Sequence, residues 1–139
     1  MVYSDEAVFV LKYQEGQNNS VYLVKHADTL SDASQITTSL QLTTYYESET
    51  KPKSGHVSVA KYTDSDGDVL DHTAVCITNT PDEVQIWSEF IYENDIVKSE
   101  YTITSDMLLG CEAINAGSDG KSYAITVEYS DLLKLVTIE

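Results

Sequence analysis

Apolar and polar side chains alternate along most of this chain, and any fold it adopts has to satisfy that two-residue period. From Ile36 to Tyr46, the set Ile36, Thr38, Leu40, Leu42, Thr44 and Tyr46 shares one face, against Thr37, Ser39, Gln41, Thr43 and Tyr45. Val84, Ile86, Phe90 and Tyr92 alternate with Gln85, Glu89 and Glu93. Tyr123, Ile125, Val127 and Tyr129 alternate with Ser122, Ala124, Thr126 and Glu128. Successive side chains of a strand point to opposite faces, so the pattern predicts half-buried strands with one wet face.

Turn residues fall where hairpins need them. Glu15-Gly16-Gln17-Asn18-Asn19 separates Ala7–Tyr13 from Ser20–His26. Asp64-Ser65-Asp66-Gly67-Asp68 separates His56–Thr63 from Val69–Thr78, and its Asp-Gly step supplies the positive φ of a tight turn. Glu93-Asn94-Asp95 divides Val84–Tyr92 from Ile96–Thr104, Ser118-Asp119-Gly120 precedes Ser122–Tyr129, and Leu132–Ile138 closes the chain. This spacing predicts about nine strands. At most two short helices fit, Thr29–Ser34 and Ser105–Ala113, the second with a Ser105 cap and a stop near Gly117. Nothing reads as an interdomain linker. The expectation is an all-β chain, residues 1–139 forming a single-domain antiparallel β-sandwich, jelly-roll or barrel.

The chain contains no arginine, and 23 acidic residues against 8 lysines leave a net charge of −15. Arginine is the favoured bidentate grip on phosphate, and nucleic-acid binding needs basic surface. Direct nucleic-acid contact is therefore not expected, nor is attraction to anionic membrane. No apolar run approaches the ~20 residues that span a bilayer. The start, Met1 to Glu6, carries two acids and lacks the basic region of a secretory signal. Neither a signal peptide nor a transmembrane segment is expected. Cys76 and Cys111 make no disulfide framework and lack C-x-x-C spacing; two buried thiols are expected, with a single bridge as the alternative.

Several strings invite a chemical reading. Asn115 to Ser122 matches G-x-x-x-x-G-K-[ST] apart from its first residue, but the residues after Lys121 alternate as a strand, whereas a phosphate loop opens a helix. A polar turn is expected. Asp64, Asp66, Asp68 and Asp71 cluster oxygen ligands suited to Ca²⁺, although with Gly67 in the sixth place the EF-hand ends would be Tyr62 and Thr73. A hairpin turn with solvated carboxylates explains the same string. His26, His56 and His72 show no metal spacing, no G-x-S-x-G elbow is present, and no cofactor is expected. Trp87 and Ile91 fall with Gln85 and Glu89 on the presumed outer face. Either they form an exposed docking patch, or both faces of that strand are covered or its register shifts at a bulge.

Without catalytic spacing, the reading is a non-enzymatic module that works through protein contacts. Serine and threonine together number 29, a hydroxyl-rich composition common in exposed β-structure. The specific expectation is a virion component, a capsid cement, decoration or tail protein, with protein partners in a homo-oligomer or larger symmetric assembly, found in the virion or at a cytoplasmic assembly site. Two alternatives belong to other classes: a carbohydrate-binding β-sandwich using Tyr and Trp87, and an acidic DNA mimic that inhibits a nucleic-acid enzyme.

Overall fold

The computed structural model describes residues 2–3, 8–14, 19–26, 41–48, 52–79, 83–91, 96–104, 108–129 and 132–138. Its regular elements are all strands: β1 (Val2–Tyr3), β2 (Val8–Gln14), β3 (Asn19–His26), β4 (Gln41–Ser48), β5 (Ser54–Thr63), β6 (Val69–Asn79), β7 (Glu83–Ile91), β8 (Ile96–Thr104), β9 (Leu108–Ala116), β10 (Ser122–Glu128) and β11 (Leu133–Ile138). Every pairing joins neighbours in sequence and is antiparallel. The sheets are thus open meanders in the orders β1-β2-β3-β4, β5-β6-β7-β8 and β11-β10-β9, and none closes into a barrel. Among the described residues no helix is long and apolar enough to cross a membrane.

The chain forms two compact units, Met1–Lys51 and Pro52–Glu139. The first contains the β1–β4 sheet. Its expected first hairpin is β2–β3, in register from Val8 opposite His26 to Gln14 opposite Ser20. β4 follows β3 with a register shift at Val21. The expected helix Thr29–Ser34, and the alternation before Gln41, lie outside the described residues.

The second unit is a β-sandwich. Cys76, Val84 and Ile86 from the four-stranded sheet meet Cys111 and Ala124 from the three-stranded one, with Ile103, Ile114, Val136 and Ile138 packed around them. β9 is an edge strand, and exposed N–H groups on an edge invite foreign pairing. Two of them are occupied by hydroxyls of the facing sheet: Ser58 Oγ accepts from Ala116 N at 2.9 Å and Thr78 Oγ1 from Cys111 N at 3.0 Å.

Two expectations fail here for physical reasons. The helix expected over Ser105–Ala113 is strand from Leu108 onward. β9 carries register shifts opposite Ile125/Thr126 and Val127/Glu128. Each inserts an extra residue and breaks the period of two, so Gly110 and Cys111 are buried in succession and Glu112 and Ala113 exposed in succession. In β10 hydropathy points the wrong way. Ser122, Ala124 and Thr126 are buried, while Ile125 is exposed. Small inward side chains let the sheets approach closely, and the buried Ser122 hydroxyl finds hydrogen-bond partners there.

Candidate functional site

The four aspartates considered for Ca²⁺ do not converge. Asp64 Oδ1 accepts the backbone N–H of Asp66 at 3.0 Å and of Asp68 at 2.9 Å, so this carboxylate closes its own turn. Asp66 and Asp68 are exposed on that turn. Asp71 lies beyond it in β6, buried, with Lys61 Nζ 2.9 Å away on the neighbouring strand. Among the described residues no group of three or more His, Cys, Asp or Glu side chains could hold a metal ion.

The string from Asn115 to Ser122 is the β9–β10 hairpin. Gly117 N donates to the Lys121 carbonyl at 2.8 Å and Gly120 N to the Gly117 carbonyl at 3.2 Å, the same closure as Asp64 N to Asp68 O and Gly67 N to Asp64 O. Gly67 (φ 86°) and Gly120 (φ 84°) supply the left-handed residue both turns need. Asp119 accepts from Lys121 N and from the Tyr123 hydroxyl, and these bonds hold its carboxyl below the usual range, the Tyr123 contact contributing most.

Trp87 and Ile91 form no exposed patch: they are 1% and 6% exposed. Thr73, Val75, Ile77 and Glu89 are buried with them, while Ala74, Cys76, Val84 and Ile86 are buried on the other side, so β6 and β7 are covered on both faces. A strand buried on both faces loses the one-wet-face pattern by which orientation is read. Glu100, opposite Trp87 on β8, has its carboxyl held below the usual range, first by the Trp87 indole N–H and then by Lys98.

A hydroxyl–imidazole cluster, invisible in the sequence, lies inside the sandwich. His72 on β6 stacks on Phe90 of β7 with ring centroids 4.7 Å apart, and Phe90 meets Tyr62 of β5 at 5.1 Å. His72 Nδ1 is 2.8 Å from the Gly117 carbonyl, which can only accept, so Nδ1 carries the proton and Nε2 is the acceptor. Ser122 Oγ donates to Ser88 Oγ at 3.1 Å, and Ser88 Oγ lies 2.9 Å from Nε2, giving a relay of donors that ends at Gly117. Burial holds the imidazole below its usual value, against the opposing pull of the Gly117 bond and the Asp119 charge. His56 lies in β5 and His26 in β3. Ser88, Ser122 and His72 are buried. Their chemistry is that of a neutral, satisfied lock between the sheets.

The outer face of the three-stranded sheet is different. Asn115 and Ala113 on β9, Tyr123, Ile125 and Val127 on β10, and Thr137, Leu135 and Leu133 on β11 stand opposite one another in register. Leu133 and Leu135 are 65% and 69% exposed and Ile125 37%. Apart from the Tyr123 phenol, none of these eight side chains is ionisable, in a chain of net charge −15; the exposed Glu112, at the bulge beside Ala113, brings one carboxylate to the border of the face. β11 is the outer strand of its sheet. The signal that could have found this face is the β10 alternation itself, read with its small residues pointing inward. Comparison with protein-family models, curated proteins and solved structures finds no match.

Proposed function

We propose that the protein is a non-enzymatic assembly module that docks on protein neighbours through the outer face of β9–β11. The observation that carries this reading is the largely apolar face around Ile125, Leu133 and Leu135, bordered on β9 by the exposed Glu112, on an acidic molecule. Scattered apolar surface residues are ordinary, but contiguous ones on a sheet face with an outer strand beside them favour contact. Interface centres are depleted in charge in the same way. In its most specific form the reading is a virion component, a cement, decoration or tail protein, for which the hydroxyl-rich composition and symmetric repetition of a neutral face would be suited.

The deciding experiment is native mass measurement and negative-stain imaging of the protein from its natural source, beside a Leu135→Lys variant produced in the same setting. The expected result is a stoichiometric, high-copy complex that the substitution disperses. A stable, partner-free monomer for the unaltered protein would overturn the proposal.

A further inference from the structure

We infer that Cys76 and Cys111 are a reversible oxidation site, closing as a disulfide that cross-links the two sheets of the second unit. Cys76 belongs to β6, opposite His56 and Ile86, and Cys111 to β9, opposite Thr126. They share one buried cluster with Val84, Ile86 and Ala124. The thiols are hydrogen-bonded to each other, and Cys111 Sγ also donates to the Ala113 carbonyl at 3.3 Å. Direction follows from this order: Cys76 S–H donates to Cys111 Sγ, and Cys111 S–H to the carbonyl.

The local backbone is built to bring the sulfurs together. Cys111 N bonds to Thr78 Oγ1, on the same face of β6 as Cys76 and two residues along. A Cβ on Gly110 would fall 2.9 Å from Thr78 Cγ2, so glycine is what permits β9 to come so near β6. The register shift beside Cys111 then turns its side chain inward, next to the buried Gly110.

The two sulfurs are not equivalent. The bond from Cys76 lowers the Cys111 thiol from its usual value, whereas that same bond and burial push Cys76 upward. Cys111, 4% exposed against 0% for Cys76, is therefore the attacking thiolate once local opening admits a reagent. With a low-molecular-weight disulfide as oxidant, Cys111 attacks one of its sulfurs, forming a mixed disulfide and expelling one thiolate. That thiolate takes the Cys76 proton, and Cys76 attacks Cys111 Sγ, expelling the second thiolate, which takes up the proton lost by Cys111. Two protein thiols lose two electrons and the oxidant becomes two thiols.

The test oxidises the native full chain with glutathione disulfide, blocks remaining thiols with iodoacetamide in denaturant, and digests with trypsin. Cleavage after Lys61, Lys98 and Lys121 puts Cys76 on Tyr62–Lys98 and Cys111 on Ser99–Lys121. The expected product is these two peptides joined, lighter by two hydrogens than their sum and separated by dithiothreitol. The bridged protein should melt higher, by on the order of 10 °C. The equilibrium constant for closure against glutathione should also be at least about tenfold greater for native protein than in concentrated urea, because preorganised groups react at high effective concentration. Carbamidomethylated cysteines, separate glutathione adducts, intermolecular dimers, or equal closure constants in the two conditions would each overturn the inference.

Discussion

The Nδ1–H of His72 donates to the Gly117 carbonyl at 2.8 Å, tying an inner strand of the four-stranded sheet to the turn that joins β9 and β10. The bond requires a neutral ring if Nε2 is to keep accepting from Ser88. The unfolded chain has no such requirement, and its imidazole titrates near 6.5. Because the folded value is lower, the contribution is complete above pH 6.5. It declines as pH falls from there through the folded value, since the unfolded state takes up the proton first. Urea midpoints for the wild type and His72→Gln, measured between about pH 8 and pH 5, should show the wild-type advantage shrinking below about 6.5. An advantage independent of pH would contradict this account of the ring.

Ser88 stands in the middle of the relay and Ser122 at its start. Ser88→Ala removes the acceptor of one hydroxyl and a donor to the ring together, and should cost about 2–3 kcal/mol. Ser122→Ala leaves the Ser88–His72 bond in place and should cost about 1 kcal/mol. Urea denaturation of both single variants and the double variant checks the order; the double variant should fall short of the sum, because the sites share one network.

Trp87 is the only tryptophan in the chain, so intrinsic emission reports on its position alone. At 1% exposure the emission should be blue-shifted and nearly insensitive to acrylamide, and Trp87→Ala should cost about 3–5 kcal/mol. Red-shifted, easily quenched fluorescence would restore the docking-patch reading.

Replacing Asp64 by Ala should destabilise the second unit by about 1 kcal/mol, since two backbone N–H groups lose their acceptor. Asp66→Asn and Asp68→Asn should stay within about 0.5 kcal/mol of the parent, as exposed turn carboxylates with no such task. Thermal melts of the three variants separate structural from solvated acids.

Leu135→Lys and Ile125→Lys alter exposed side chains and should shift stability by less than about 0.5 kcal/mol. In sedimentation or native-mass measurements of the assembled form, each should weaken association by roughly tenfold or more, because a buried lysine without a partner is costly. Unchanged association would place the contact elsewhere.

Much of the architecture is legible from alternation and turn chemistry. The nine expected strands correspond to β2–β8, β10 and β11, and the β5–β6 turn has its left-handed glycine at Gly67, as the Asp-Gly step implies. β9 was not legible because two insertions erase its period. The two-residue β1 is too short to show any period. The orientation of Trp87 was ambiguous because β7 has no wet side. The apolar face stayed hidden for another reason: hydropathy assigns Ile125 to the interior, whereas fit between the sheets favours Ala124 and Ser122. No spacing in the sequence joins His72, Ser88, Gly117 and Ser122, which three different strands and a turn bring together.

The missing charges around Ile125 and Leu135 have a consequence for encounter geometry. At physiological salt, electrostatic repulsion reaches only about 8 Å, so an acidic neighbour, including another copy, is turned away by whichever surface it comes near. The largely apolar panel, with one carboxylate at its border, is the approach that meets least resistance. If the proposed docking holds, orientation is selected by exclusion as much as by adhesion, and added electrolyte should blur the choice of facing before it loosens the grip.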